Sequence, residues 1–317
     1  MNPIKFSITI PAYKASFLYE AIQSCLNQTY EYFELIIVDD HSPEDLISIV
    51  EMFDDNRIKY YRNETNCGAL NVVDNWNICL SYCSGDYVVC MGDDDRLTPH
   101  CLETYYKYIC QYPDCDVFHA ATEIIDEKSN FVSFQESRPE WESVWACIWW
   151  RWAFRDHQYI GDFCFRRSEL VCVGGFYKLP LAWFSDDISV ALLAAKHGVV
   201  NTREFCFQYR ENGQTITSSG NTREKMNALL LSKDWYSRFI QENDVYNEED
   251  GKYKKLILDI FPRYWGKRVY TLMIDGCVAD YGNLIYWLKH RKEIGASFLM
   301  VCKALVHSIY YRISHRF

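Results

Sequence analysis

Phe33-Glu-Leu-Ile-Ile-Val-Asp-Asp40 is the stretch that decides the fold, because it is an apolar run that ends in two carboxylates. Its length and apolar continuity predict a buried strand. Upstream, Lys5-Phe-Ser-Ile-Thr-Ile10 alternates as a half-buried strand does. Between the two strands, apolar residues with the spacing of one helical face are Leu18, Ala21, Ile22, Cys25 and Leu26. Strand, helix and strand predict a right-handed βαβ unit in a parallel sheet.

A second strand that ends in acids follows further along the chain. Tyr87-Val-Val-Cys-Met91 precedes Asp93-Asp94-Asp95. Ligands of parallel sheets bind beyond the carboxyl ends of strands, so we expect these acids to share a crevice with Pro11-Ala12-Tyr13 and Asp39-Asp40. Three adjacent carboxylates repel one another unless a cation neutralises them, and hard oxygen ligands favour Mg²⁺ or Mn²⁺. The alternative is a solvated acidic turn.

Four segments in this order resemble the family 2 inverting glycosyltransferases of bacterial polysaccharide biosynthesis. They are Ser7–Tyr13, Gln28–Tyr30, Phe33–Ser42 and Gly85–Asp95. Gly174-Gly175-Phe176 and Phe184-Ser185-Asp186-Asp187 resemble the "GGF" and "ED" elements of that family. Lys14 departs from the commonest Asn, and Gly92 stands where many members carry an acid. The resemblance implies an α/β protein of the GT-A fold, with a doubly wound, mostly parallel sheet, flanking helices and a C-terminal helical extension.

The resemblance also implies the reaction. A sugar would pass with inversion from a UDP- or GDP-linked donor to a hydroxyl of a glycan or lipid-linked acceptor, with Mg²⁺ or Mn²⁺, in cell-surface polysaccharide synthesis. One alternative is a sugar nucleotidyltransferase, but the loop Pro11–Ser16 lacks the glycines that such enzymes normally carry there. Another is an inactive sugar-nucleotide-binding protein, against which the intact Asp40, Asp94 and Asp187 argue.

Residue roles carried over from the family fall on the strand ends. Asp94 is the preferred metal ligand, with Asp95 and Asp93 beside it. Asp40 would accept a hydrogen bond from the base; its structural alternative is a helix cap, which Ser42 already suits. The base and ribose pocket would be shaped by Pro11, Ala12 and Tyr13, although Tyr13 has a core alternative.

The acceptor side depends on two further carboxylates and one arginine. Asp187 matches the family's general base, and adjacent Asp186 is expected to raise its pKa by repulsion. The structural alternative is a pair of acids at a helix N-terminus. Arg210-Glu-Asn-Gly213 follows the last predicted strand, and Arg210 would close over the diphosphate on this loop. An exposed loop arginine is the alternative.

Domain boundaries follow from these elements. We expect a glycosyltransferase domain at 1–220, with a nucleotide-binding half at 1–98 and an acceptor-binding half at 99–220, and a helical extension at 221–317. Tryptophans that fit one helical face are Trp141, Trp145, Trp149 and Trp152, which predict a buried packing helix. An acceptor platform is the alternative.

The amino-acid composition restricts the binding partners and the cellular compartment that we expect for the chain. The chain has 317 residues and a net charge of −10, which argues against nucleic-acid binding. Its 14 cysteines form no C-x-x-C pair, and no signal peptide opens the sequence, so we expect reduced thiols in the cytoplasm. Apolar residues at helical spacing in the basic C-terminal segment are Ile294, Phe298, Val301, Leu305 and Ile309. This segment predicts either a helix on the inner face of the plasma membrane or a helix docked on the protein.

Overall fold

The chain folds into two compact units. The computed structural model describes residues 3–155, 157–212, 221–245 and 247–314. The first unit comprises Met1–Lys178 and Ser185–Gly213, and the second comprises Leu179–Phe184 and Gln214–Phe317.

The first unit alternates strands and helices along its first hundred residues. In its described part the strands are β1 (Phe6–Ala12), β2 (Phe33–Asp39), β3 (Ile58–Arg62), β4 (Tyr87–Cys90), β5 (Arg96–Leu97), β6 (Val117–Ile125), β7 (Phe131–Phe134), β8 (Trp141–Glu142), β9 (Phe163–Arg166) and β10 (Val199–Arg210). The helices are α1 (Leu18–Leu26), α2 (Leu46–Val50), α3 (Val72–Tyr82), α4 (Cys101–Gln111), α5 (Val144–Ala153), α6 (Arg167–Cys172) and α7 (Ser185–His197).

These strands form one mixed sheet. Its order is β3-β2-β1-β4-β9-β6-β10-β5, and β7 and β8 pair with β6 and β10. The pairs β1–β2, β2–β3, β1–β4 and β6–β10 are parallel, which confirms the predicted βαβ beginning. β9 lies antiparallel between β4 and β6, so it joins the two parallel parts of the sheet. The buried core on α1 and α4 includes Phe6, Ile8, Leu35, Tyr105 and Phe207.

A cluster of ion pairs and hydrogen bonds around the buried Glu34 joins the beginnings of β1, β2 and β4 to β3. Glu34 accepts hydrogen bonds from Lys59 Nζ at 2.7 Å, Ser7 Oγ at 2.7 Å, the Ser84 N–H at 2.6 Å and Lys5 Nζ at 3.0 Å. Burial opposes ionisation of Glu34, but these hydrogen bonds outweigh it and hold the pKa of the carboxyl well below its usual range. The cluster therefore stabilises the sheet at the edge opposite the carboxyl ends of β1, β2 and β4.

Two helix predictions need correction. Trp141 lies in strand β8 and is exposed, because helix α5 begins only at Val144, after the N-cap Ser143. Trp145 and Trp152 on that helix are buried, as expected. Ser42 caps no helix: its hydroxyl donates to Tyr13 O at 2.6 Å, and Asp45 caps the short α2.

The second unit is helical, as the sequence predicts. Its helices in the described residues are α8 (Thr222–Glu242), α9 (Glu248–Ala279), α10 (Gly282–His290) and α11 (Phe298–Ser314). Aromatic rings fill its interior, since Tyr236, Trp265 and Trp287 are almost fully buried. α9 contacts each of the other three helices. Within the described residues, no helix combines the length and apolarity that crossing a bilayer requires.

Candidate active site

The carboxyl ends of β1, β2 and β4 meet at one edge of the sheet. The Asp40 N–H donates to Ala12 O at 2.9 Å, which continues the β1–β2 pairing past the strand ends. Asp93 Oδ2, after β4, accepts hydrogen bonds from the N–H groups of Tyr13 and Lys14, both at 2.7 Å. Backbone N–H groups thus hold the three predicted strand ends together: one donates from the end of β2 to β1, and two donate from the end of β1 to the Asp93 carboxylate after β4.

Polar groups of the loop after β3 surround the Asp40 carboxylate. Asp40 is 7% exposed, and its Oδ1 accepts from Asn63 Nδ2 at 2.8 Å and from the Cys67 N–H at 2.9 Å. Asp39 is fully buried and pairs with Arg62. Tyr13 is 42% exposed, so its core alternative is wrong and its ring remains accessible. The sequence analysis did not identify Asn63 as a partner of Asp40. The only signal for it is its position in the polar loop after β3.

The three consecutive acids after β4 have separate partners. Asp93 and Asp95 are buried, whereas Asp94 is half-buried. Asp94 Oδ2 accepts from Asn212 Nδ2 at 2.8 Å, and Asp95 Oδ1 accepts from the Arg210 N–H at 3.0 Å. Burial and the charge of Asp94 raise the pKa of Asp93 to about 6 and also raise the pKa of Asp95. In the described ranges, no group of three or more His, Cys, Asp or Glu side chains is arranged to hold a metal ion.

The position of Arg210 differs from the sequence prediction. Arg210 is the last residue of β10 and not part of a loop, and its side chain is fully buried. Nε donates to Asp94 O at 2.7 Å, Nη1 to Asp126 O at 3.1 Å and to Ser129 Oγ at 2.9 Å, and Nη2 to Glu20 Oε2 at 3.0 Å. The guanidinium therefore braces the acidic turn. The Gly213 end of the predicted loop lies outside the described residues.

Asp186 and Asp187 open helix α7. Asp187 is 6% exposed, and its Oδ1 accepts from Arg151 Nε at 2.7 Å and from Gln158 Nε2 at 2.9 Å. Asp186 is half-buried, and burial together with the charge of Asp187 raises its pKa to about 8. Repulsion between the two acids, which the sequence predicts, is therefore seen at Asp186. Arg151 and Gln158 were missed, because the stretch that contains them carries no recognisable motif.

The structure does not connect all predicted residues directly. Within the described part of the chain, no hydrogen bond or ion pair joins Asp186 or Asp187 to the acids 93–95. The strand-end residues form one cluster, and the α7 acids form another with Arg151 and Gln158. Both clusters belong to the first unit.

A family model settles the relationship of the chain to known proteins. The model for glycosyl transferase family 2 matches residues 7–176, more than half of the sequence. The chain belongs to glycosyl transferase family 2. The match includes the strand-end acids and ends before Asp186 and Asp187.

Curated family 2 relatives match over the first part of the chain. An uncharacterised glycosyltransferase of Haemophilus influenzae is 35% identical over 114 residues, which are 35% of this chain and 44% of that protein. The GalNAc(5)-diNAcBac-PP-undecaprenol beta-1,3-glucosyltransferase of Campylobacter jejuni is 37% identical over 103 residues, 32% of this chain and 33% of that protein. The matches therefore span less than half of the length of these relatives.

A solved structure extends the likeness to nearly the whole chain. S. aureus TarS 1–349, in complex with UDP-GlcNAc, superposes with a TM-score of 0.65 and 15% identity, covering 99% of this chain and 94% of that one. At this identity the likeness shows the fold alone. The predicted GT-A fold with its C-terminal helical region is confirmed.

In this family 2 chain the "GGF" element packs closely against helix α3. Gly175 has a φ of +90°, and a Cβ there would lie 2.3 Å from Asn77 Oδ1. Asn77 accepts from the Phe176 N–H at 2.8 Å and donates to Phe176 O at 3.0 Å. Gly174 also has a positive φ, of +93°, but open space surrounds its Cβ position. The close approach at Gly175 thus fixes the turn after α6 against α3.

Proposed function

We propose that the chain transfers a sugar from a nucleoside diphosphate sugar to a hydroxyl of a glycan or lipid-linked acceptor. The observation that carries this proposal is that Asp40, Tyr13 and the acids 93–95 lie at neighbouring, hydrogen-bonded strand ends in a family 2 protein. TarS was solved with UDP-GlcNAc and with UDP, which favours a UDP-linked donor. The name of the C. jejuni relative favours a polyprenyl-linked acceptor, and the E. coli relative WcaA is named for colanic acid biosynthesis.

A divalent cation fits this site through one carboxylate. Asp93 and Asp95 accept hydrogen bonds from backbone amides, so Asp94 is the acid best placed to serve as a ligand, and ligation by Asp95 stays a prediction. Burial and, after it, the negative charge of Asp94 raise the pKa of Asp93, and a bound cation would offset that negative charge. Mg²⁺ commonly uses one or two carboxylates together with phosphate oxygens and water. When bound, the metal neutralises charge that develops on the departing diphosphate.

The chain's own residues supply the remaining steps. Asp40 accepts a hydrogen bond from the ring N–H of the base, and the exposed Tyr13 ring stacks on it. Asp187 takes the proton of the acceptor hydroxyl, held in orientation by Arg151 and Gln158. Attack opposite the departing diphosphate inverts the anomeric centre. Arg210 positions Asp94 by donating a hydrogen bond to the Asp94 backbone carbonyl, and it makes no contact with the diphosphate.

The free cysteines indicate the compartment in which the chain works. All 14 cysteines are free thiols, which suits a reducing compartment. We therefore infer that the reaction takes place in the cytoplasm, at the inner face of the plasma membrane where a lipid-linked acceptor is presented.

Release of nucleoside diphosphate from a panel of UDP- and GDP-sugars with Mn²⁺ tests the proposal. Asp94→Asn is expected to reduce turnover by about 100-fold or more, and EDTA to do the same to the wild type. Asp114→Asn is the matched control, because this exposed aspartate lies in the loop between α4 and β6. Full activity of Asp94→Asn, or of the wild type in excess EDTA, would refute the metal role. Formation of a nucleoside triphosphate and a sugar 1-phosphate when pyrophosphate is added would instead identify a nucleotidyltransferase, and donor binding without any release would identify a binding protein.

A further inference from the structure

Helix α11 is docked in the second unit by one of its faces. Val301, Ala304 and Ser308 are buried on the face that contacts α9. Arg312 Nε donates to Val278 O at 2.8 Å, at the end of α9, and Tyr270 OH and His307 Nδ1 are 3.0 Å apart. The docked-helix alternative therefore holds for this face. The predicted face is split, because Val301 is buried whereas Phe298 is 63% exposed.

A second apolar face of the same helix points to solvent. Its large side chains are Leu299, Val306, Tyr310 and Ile313, with exposures of 61%, 63%, 72% and 60%. With the exposed Lys303 they are spaced four, three, four and three residues apart, which places them on one line along the helix. We call these five residues the outer stripe. Isolated exposed apolar residues are ordinary, but a continuous line over 15 residues indicates a surface that is covered in use.

Charge identifies what covers the outer stripe. From Lys289 to the C-terminus the sequence has six Lys or Arg and one acid, Glu293, although the whole chain carries −10. Lys289 and Lys292 are exposed in addition to Lys303, which lies in the stripe between Leu299 and Val306. A second copy of the chain would bring equal positive charge against this surface and be repelled. An anionic lipid surface complements both the apolar side chains and the lysines.

We propose that the outer stripe of α11 binds peripherally to the surface of an anionic membrane. Leu299, Val306, Tyr310 and Ile313 enter the boundary between headgroups and acyl chains, and Lys303 contacts phosphate groups. The attachment involves only the second unit and does not depend on the proposed sugar transfer. It would bring the chain to a surface on which lipid-linked acceptors are found.

Co-sedimentation of the full chain with vesicles tests the proposal. Equimolar phosphatidylcholine and phosphatidylglycerol is compared with phosphatidylcholine alone, at two salt concentrations. We expect salt-sensitive binding to the anionic vesicles only. Leu299→Asp should weaken it about tenfold or more, and Lys303→Glu roughly thirtyfold. Leu258→Asp is the matched control, because Leu258 is 52% exposed on α9 of the same unit, and this variant should bind like the wild type.

Point variants test the outer stripe more specifically than removal of the segment after Trp287 does. That removal would also delete the packing of α11 on α9. Thermal unfolding of each variant checks that the fold is intact, which is expected for exposed positions. The proposal is overturned if the wild type stays in the supernatant with anionic vesicles, or if Leu299→Asp binds as well as Leu258→Asp. It is also overturned if the wild type forms a dimer that Leu299→Asp dissociates while vesicles are not bound. Nucleotide release measured on the same samples reports on the proposed function separately.

Discussion

Replacing Arg210 by methionine should destabilise the first unit and impair turnover together. The guanidinium donates to two main-chain carbonyls, those of Asp94 and Asp126, and to the Ser129 hydroxyl. Methionine keeps apolar contact with the Phe17 ring, over which the guanidinium lies at 4.3 Å, but it supplies no donor. The buried acceptors would lose their partners, and the turn that carries Asp94 would lose its brace.

The size of the effect follows from these contacts. A hydrogen bond to a charged group contributes about 1.5–3 kcal/mol, and part of this is offset because a buried charge is removed. The Glu20 pair adds little, since the Glu20 side chain is 43% exposed. We therefore expect Arg210→Met to lower the free energy of unfolding by about 3 kcal/mol. This corresponds to a fall in Tm of roughly 10 °C for a unit of this size.

Arg203→Met on the same strand is the matched control. The Arg203 side chain is 77% exposed and pairs with Glu140 at 3.3 Å, so its loss should cost less than about 1 kcal/mol. Urea unfolding and nucleotide release are measured on both variants, with donor affinity measured separately. The reasoning is refuted if Arg210→Met is as stable as Arg203→Met. Wild-type stability with lost donor affinity would show that Arg210 contacts the diphosphate, as the sequence suggested.

Three further outcomes are expected. Asp187→Asn should reduce turnover about 100-fold or more and leave donor binding near wild type, as isothermal titration would show, and the opposite ranking with Asp186→Asn would transfer the base role to Asp186. Glu34→Gln should lower the unfolding free energy by about 1–2 kcal/mol at pH 7, because the partners Lys5 and Lys59 are partly exposed and water can solvate them when the carboxylate is lost. The folded pKa of Glu34 is lowered, so its contribution to stability is complete above its ordinary pKa of about 4.3 and is lost as the pH falls from there towards the folded value. The unfolding free energies of the wild type and Glu34→Gln should therefore converge as the pH falls below about 4.3. Gly175→Ala should lower the Tm more than Gly174→Ala, because only the former adds a clash to its backbone strain; equal losses would contradict the packing role.

The sequence predicts the parts of the fold that bury one continuous apolar face. β1, α1, β2 and β4 lie within one or two residues of their predicted positions, because each has a strong periodic pattern. β7 was not predicted, since all four of its residues are exposed and give no inward pattern. β8 is only two residues long, and Trp141 was assigned to the following helix because its spacing also suits a helix. Short or exposed strands depend on partners that a local pattern does not contain.

The candidate site shows the same division between local and long-range information. The acidic strand ends were recognised from local sequence, and the sheet register then brings them together. The partners of each acid come from distant segments: Arg151 for Asp187, Asn63 for Asp40 and Arg210 for Asp95. No spacing rule links such pairs, so their roles emerged only from the folded chain.

The long-range partners explain why three adjacent acids need not share one role. Asp93 binds the backbone after β1, and Asp95 binds the backbone at the end of β10, so the outer two acids fasten the turn to two different strands. Both do so at an electrostatic cost, because burial and the charge of Asp94 oppose their ionisation. Asp94 lies between them, half-buried, with its backbone carbonyl held by Arg210 and its carboxylate bound to Asn212. The outer acids therefore act on the position of the turn, and the middle acid is the one whose carboxylate we propose meets the donor and its cation.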